Sequence, residues 1–247
     1  MDIVTRLREK KKKLLEEHFF RPKWYSVFLN PYFINRWSLY RSIATFAKGV
    51  SKKDRVLDVG CGLKPYRDLF KVDEYIGIDI EGGGHDDGAK VVDAYYDGHN
   101  IPYDDDSFDI VVCTQVLEHA ESPDGVVKEI ARVLRPEGRV FISMPFTYPE
   151  HEVPYDFQRF TRFQHQALLE KHGFGDIEIT QTTGFLGTFT QLFVVWVFES
   201  ITFRASLLKL LLSVFVFGPI QILGLLFDRL LGRSGQTMDY TVVAKRV

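Results

Sequence analysis

Two hydrophobic regimes divide this chain. Between about residues 51 and 184, short apolar runs bounded by Gly, Pro, Asp and Asn alternate with stretches of helical periodicity; from Phe185 to Leu231 the apolar residues are nearly continuous. The short runs predict strands at Val56 to Val59, Tyr75 to Ile80, Lys90 to Asp93, Phe108 to Thr114, Arg139 to Met144, from Ile177 to Thr180, and Tyr240 to Ala244. Between them, Ser122-Pro123 reads as an N-cap with a first-turn proline. It opens a helix whose apolar stripe is Val126, Val127, Ile130, Val133 and Leu134, ended by the Pro136-Glu137-Gly138 turn. Thr161-x-x-Gln164 starts a second helix that stops at Gly173. Strands alternating with helices predict an open α/β sheet.

Candidate chemistry gathers at the strand ends, where such sheets bind ligands. Asp58-Val59-Gly60-Cys61-Gly62 closes the first strand with an acid and a two-glycine loop, which lets backbone approach a ligand without an intervening Cβ. A dinucleotide loop would carry a third glycine where Pro65 stands, and a carboxylate at Asp58 repels pyrophosphate but suits a cation. S-adenosylmethionine, with its sulfonium and ammonium, fits that charge. Asp79, with Ile80 after it, is the expected ribose ligand, placed about twenty residues past the loop. Asp93, followed by Ala94, is the expected partner of the adenine amino group, and Thr114 and Gln115 close the fourth strand at the same edge.

On the motifs VLDVGCG, YIGIDI, IPYDDDSFDIVVCTQVLEH and IARVLRPEGRVFISMPF, the chain resembles the class I S-adenosylmethionine-dependent methyltransferases over about residues 51 to 184 and the last strand. The resemblance implies a Rossmann-like, seven-stranded, mostly parallel sheet with helices on both faces. One position departs from the family's pattern: its usual third loop glycine is Lys64 here.

Composition sharpens the outline. The chain has 247 residues and a net charge of −2, which gives no global reason to expect nucleic acid. Cys61 and Cys113 offer neither a disulfide framework nor a zinc spacing, and the charged start predicts no signal peptide. Residues 1 to 25 carry eight Lys/Arg against four acids, and aromatic residues crowd positions 19 to 40. This basic and aromatic extension, residues 1–50, suits either an anionic membrane surface or a lid over the cofactor cleft. The remaining divisions are a methyltransferase core at 51–184, an apolar helical hairpin at 185–231 and the last core strand at 232–247.

The hairpin must return to the sheet it left, which excludes a single crossing. Arg204 and Lys209 lie in its connection, and Gly218-Pro219 is expected to break its second limb. A shallow monotopic hairpin on the cytoplasmic face of the membrane is the favoured reading, against a soluble apolar cap or an oligomer interface. The oligomeric state is not specified by the sequence.

After the fifth strand, the segment from Pro145 to Thr161 resembles the H-E-x-P-x-D-x-x-R-[FY]-T element of uncharacterised bacterial methyltransferases associated with surface-polysaccharide biosynthesis. His151 is the candidate general base, Asp156 its orienting acid and Arg159 a binder of an anionic group. The alternative is a loop in which Asp156 and Arg159 form only a structural ion pair. Glu118 and His119, with His151 after the fifth strand, are similar to an E-x-x-E-H element that holds a divalent ion, but its first Glu is Gln115 here; no metal is expected, and a structural or pocket-lining Glu-His pair is favoured over a Glu118, His119, His151 metal site. The expected function is O-methylation of a membrane-associated glycan or lipid-linked sugar. Methylation of a quinone or phenolic lipid, and a non-catalytic membrane scaffold, are the alternatives.

Overall fold

The computed structural model describes residues 18–82, 90–201, 206–232 and 235–247. Of the features singled out in the sequence, most of the basic N-terminal segment (residues 1–17) and Arg204 lie outside the described residues. The chain divides into two compact units, one of residues 42–180 with 239–247 and the other of residues 1–41 with 181–238. Helix α1 (Phe33–Ala47) carries the chain from one to the other.

The first unit is built on a seven-stranded sheet: β1 (Arg55–Val59), β2 (Glu74–Ile80), β3 (Ala94–Tyr96), β4 (Phe108–Thr114), β5 (Leu134–Pro145), β6 (Phe174–Gln181) and β7 (Asp239–Arg246). The order across the sheet is β3-β2-β1-β4-β5-β7-β6, with β7 antiparallel to β5. Strand β1 lies between β2 and β4, parallel to both, with Asp58 level with Gly77 on one side and Val112 on the other. This arrangement brings the ends of β1, β2, β3, β4 and β5 to one edge. The core is dry: Leu57, Phe108, Ile130, Leu134 and Val140 are fully buried.

Helix α2 (Pro123–Val133) forms as its sequence requires. Ser122 Oγ accepts the N–H of Gly125, Pro123 occupies the first turn, and Val127, Ile130 and Val133 bury one stripe against the sheet. Helix α3 (Arg162–Lys171) is capped by Thr161, whose Oγ1 accepts the N–H of Gln164, and Gly173 follows it in the left-handed region at φ 78°.

Three expectations change. The third strand is Ala94–Tyr96, not Lys90 to Asp93, because Val91 stands half exposed and the ladder to β2 begins only at Ala94. Strand β5 begins at Leu134, and the Pro136-Glu137-Gly138 turn is a bulge within it. Phe108 pairs with Leu134 and Ile110 with Arg139, so the extra residues loop out while Glu137 takes φ 68°. Strand β6 starts three residues early, at Phe174.

In the second unit, the apolar stretch folds into α4 (Phe185–Ser200), α5 (Ser206–Leu212), a π turn at Ser213–Phe217 and α6 (Gly218–Leu231). Gly218-Pro219 does not break the limb as expected: Pro219 falls in the first turn of α6, and the preceding π turn absorbs the register change. The result is a continuous helical run of 24 residues, Leu208–Leu231. Helices α4 and α6 pack antiparallel through small residues. Cβ atoms at Gly187 and Gly224 would meet Asp228 and Thr190 at 3.0 Å and 2.4 Å respectively.

The interior of this unit mixes apolar and polar side chains, and its surface is strongly apolar. Gln191 and Gln221 are fully buried alongside Val194, Val195 and Phe217, whereas Phe189, Trp196, Phe215 and Leu230 are more than half exposed. Gln191 Oε1 accepts the N–H of Asn35 and its Nε2 donates to Pro31 O, while Gln221 Nε2 donates to Val27 O and Asn30 O and its Oε1 has no partner among the described residues. The carboxylate of Asp228 accepts the N–H groups of Gly184 and Gly187 at 2.8 Å, satisfying the start of α4.

Candidate active site

The loop after β1 takes the shape its glycines permit. Gly60 and Gly62 have φ of 69° and 50°, and Lys64, at the departure from the family's pattern, is also left-handed at 51°. The Cys61 side chain is buried, and burial raises its thiol pKa, so what this residue offers a ligand is backbone. Gly77 on β2 makes room for the neighbours: a Cβ there would stand 2.2 Å from Lys64 Cε and 2.7 Å from Cys61 Sγ.

Asp58 lies beneath this loop and accepts the phenol of Tyr75 at 2.7 Å. Burial pushes its carboxyl up to about 7, against the lowering influence of that hydrogen bond and of Lys64. Asp79 stands at the end of β2. Its Oδ2 accepts the Gly62 N–H at 2.8 Å and its Oδ1 the Ile80 N–H at 2.8 Å, so the acid clamps the loop to the strand; Lys90 Nζ lies 3.3 Å from Oδ1. Ile80 follows with its side chain partly exposed at the edge. Thr114 and Gln115 close β4, and Gln115, at φ 55°, turns its amide to Ser143 Oγ at 3.2 Å.

Asp93 and Ala94 fall elsewhere than expected. Asp93 lies at the amino end of β3, where its carboxylate accepts the Gly77 N–H at 2.7 Å and pairs with Lys64 Nζ; these contacts hold its pKa below the usual range. The carboxyl end of β3 carries Asp97 instead, whose Oδ1 accepts the N–H groups of His99 at 2.8 Å and Asn100 at 2.6 Å. Those bonds hold its carboxyl near 2. The sequence signal for Asp97 was an acid directly before Gly98 at a strand end, akin to Asp58 two residues before Gly60 at the end of β1.

A second cluster forms where the loops after β4 and β5 meet. Phe157 N–H donates to Glu118 O at 2.9 Å, and Gln158 Nε2 donates to Leu117 O and Ala120 O. These bonds bring His151, Asp156 and Arg159 together as the sequence suggested. The His151 N–H donates to Asp156 Oδ2 at 3.0 Å, and His151 Nδ1 lies 3.3 Å from the same oxygen. Asp156 forms a bidentate pair with Arg159, which holds its carboxyl near 2. Arg159 is therefore already neutralised, and its buried Nε has no partner among the described residues.

His151 packs edge-on against Tyr148 and against His119, with ring centroids 5.3 and 4.9 Å away. Burial lowers its pKa, so the imidazole is neutral at pH 7. Beside the two rings lies Glu118, wholly buried, with neither carboxyl oxygen hydrogen-bonded among the described residues. Desolvation raises its pKa well above the ordinary value.

The comparisons with known proteins agree with the fold. A family described as a methyltransferase domain matches residues 57–142. An uncharacterized protein of Methanocaldococcus jannaschii is 28% identical over 159 residues, covering 58% of this chain and 76% of its own. A ubiquinone biosynthesis O-methyltransferase of Aeromonas salmonicida is 32% identical over 102 residues, 36% of this chain and 42% of that enzyme; the match thus spans less than half the relative's length. Among solved structures, a possible histamine N-methyltransferase of Thermotoga maritima superposes with a TM-score of 0.54 at 13% identity, covering 98% of this chain and 97% of its own, which is a likeness of fold.

The fold, the acidic glycine loop and the methyltransferase-domain match over residues 57–142 together support an S-adenosylmethionine-dependent methyltransferase. Asp58 and the loop of Gly60 to Gly62 suit the cofactor's cationic methionine end, and the edge from Asp79 to Asp97 suits its nucleoside.

Proposed function

We propose that this methyltransferase works at the cytoplasmic face of a membrane, transferring the sulfonium methyl group to a hydroxyl of a membrane-associated glycan or lipid-linked sugar. The observation that carries the reading is the apolar outer surface of the second unit. A surface on which Phe189, Phe193, Trp196, Phe215 and Leu226 stand exposed is costly in water and suits lipid. At 1.5 Å per residue, the run Leu208–Leu231 is about 36 Å long and α4 about 24 Å, against a hydrocarbon core of about 30 Å. The shorter limb favours a hairpin embedded in one leaflet, with the basic and aromatic N-terminal segment as a second contact.

In this reading the acceptor oxygen attacks the methyl carbon in line with the sulfur. The C–S bond breaks, S-adenosylhomocysteine leaves, and neutral His151, oriented by Asp156, takes the hydroxyl proton. The resemblance of the His151 to Thr161 segment to polysaccharide-associated methyltransferases supports a sugar acceptor. A quinone or phenolic lipid is the second reading, supported by the similarity to a ubiquinone-pathway O-methyltransferase. Mass spectrometry of lipid-linked glycans and quinones from cells with and without the gene separates them. A methyl lost from the glycan pool supports the first, a methyl lost from a quinone the second, and unchanged pools reject both.

A further inference from the structure

Of the three acids that line the cofactor loop and the strand beside it, two carry an ammonium group of their own. Lys64 Nζ pairs with Asp93, and Lys90 Nζ lies 3.3 Å from Asp79 Oδ1 while donating to Ile80 O at 2.7 Å. The third, Asp58, is bound by a neutral phenol, that of Tyr75. We propose that Lys64 sets the charge selectivity of this cleft: its ammonium, balanced by Asp93, limits how far the site prefers the sulfonium of S-adenosylmethionine over the neutral thioether of the product, S-adenosylhomocysteine.

Lys64 stands where the loop departs from the family's glycine pattern, so its charge is not part of what the resemblance implies. The fold nevertheless makes room for the whole side chain. Its backbone is left-handed at φ 51°, its stem crosses β2 at Gly77, where a Cβ would stand 2.2 Å from Cε, and the side chain is only 12% exposed. The same Gly77 donates its N–H to Asp93 at 2.7 Å, which fixes the partner as well. A charge held in this way is screened by water and salt far less than one on a free surface stem.

Donor and product share adenine, ribose, ammonium and carboxylate; they differ by one methyl group and by the positive charge on sulfur. Contacts to the shared groups therefore cancel in the ratio of the two affinities, and interactions with the sulfur's charge do not. Lys64 already acts on the acid assigned to the cationic end of the cofactor. Burial raises the Asp58 carboxyl to about 7, and Lys64, after the Tyr75 hydrogen bond, works against that rise. An ammonium near enough to favour ionised Asp58 is near enough to oppose a cation that Asp58 attracts. Asp93 offsets this opposition, so Lys64 and Asp93 form a balance whose two sides can be removed separately.

The inference needs neither the membrane nor the acceptor, and its test is a ratio of binding constants. Full-length wild type is titrated calorimetrically with S-adenosylmethionine and with S-adenosylhomocysteine at one pH, and the two variants are treated alike. Lys64→Met keeps the stem across Gly77 and removes the charge; it is expected to shift the affinity ratio toward the donor by about three- to tenfold. Asp93→Asn keeps an acceptor for the Gly77 N–H and leaves Lys64 uncompensated; it is expected to shift the ratio toward the product by a similar factor. A lysine that serves only to brace the loop weakens both ligands alike, whichever partner is removed. A Lys64→Met ratio within about twofold of the wild type, or shifts of the same sign in the two variants, overturns the proposal. Where Lys64→Met does not fold, Asp93→Asn decides: a shift toward the product supports the proposal, and an unmoved ratio or a shift toward the donor overturns it. Folded wild type that binds neither ligand overturns the cofactor reading itself, and this inference with it.

Discussion

A β-carbon on Gly60 would stand 2.3 Å from Cγ2 of Val116, so the cofactor loop after β1 closes directly onto the residue that follows Gln115. Gly60 also has φ 69°, whereas Gly62, at φ 50°, has open space around it. The two glycines therefore differ in cost. Gly60→Ala is expected to lose S-adenosylmethionine binding and to lower stability by more than the ~1–2 kcal/mol of a left-handed alanine. Gly62→Ala is expected to lose no more than that. Thermal melting and calorimetric titration of both variants check the ordering, and equal losses would contradict it.

Asp58 sets a pH dependence for cofactor binding. Its carboxyl pKa is raised to about 7 by burial, so the apo protein holds it largely protonated below that pH. A cationic ligand binds the ionised form, and affinity is expected to rise by up to about tenfold per pH unit below 7 and to level off above it. Folding has the opposite sign: a raised acid pKa makes the apo fold lose stability as pH rises from about 4 to about 7. Asp58→Asn should flatten both trends in titrations run from pH 5.5 to 8.5.

His165 opposes that trend in stability. Its ring is buried against Phe160 and Tyr240, Nε2 has no partner among the described residues, and desolvation lowers its pKa to about 4. Because the folded pKa lies below the usual 6.5, stability is present above about pH 6.5 and lost as pH falls toward 4. The loss is about 3 kcal/mol at most. Urea unfolding of the wild type and His165→Phe at pH 7 and pH 4.5 isolates this contribution. A variant with the wild-type pH slope would exclude His165 as its source.

How much of this was legible follows from the physics of each segment. The fully buried strands β1 and β4 declared themselves as apolar runs with turn residues at both ends, and their limits matched the sequence almost residue for residue. β3 did not: Lys90 to Asp93 is the more apolar run, but the ladder forms on Ala94–Tyr96, and only pairing with β2 decides between them. That slip placed the third acid at Asp93 rather than Asp97. The capped helices α2 and α3 were readable from Ser122 and Thr161. The grouping of Glu118 and His119 with His151 was readable from their resemblance to a metal-holding element, but the hydrogen bonds between loops about forty residues apart in sequence that bring the loops together were not. Nor did hydropathy reveal that Gln191 and Gln221 point inward.

Gln221 is expected to hold the second unit together. Its amide donates to Val27 O and Asn30 O in a buried setting, so Gln221→Leu removes a donor from both carbonyls, of which Asn30 O keeps the Phe33 N–H, and is expected to cost about 1–3 kcal/mol. Thermal melting in mild detergent measures it, and an unchanged midpoint would remove this amide as an anchor.

The outward aromatic stripe is expected to carry membrane affinity. Phe189→Asp combined with Trp196→Asp removes two large exposed apolar side chains, of which Phe189 stacks on Phe193 and Trp196 packs against the same ring. Co-sedimentation with anionic vesicles should fall at least tenfold, while S-adenosylmethionine binding is kept. Undiminished sedimentation would move the membrane contact elsewhere.

The most direct test of the central claim is calorimetric titration of the full-length protein with S-adenosylmethionine. The account predicts saturable heat with one site per chain, abolished by Asp79→Ala. Absence of binding heat in protein shown to be folded, or an undiminished isotherm for Asp79→Ala, would contradict it.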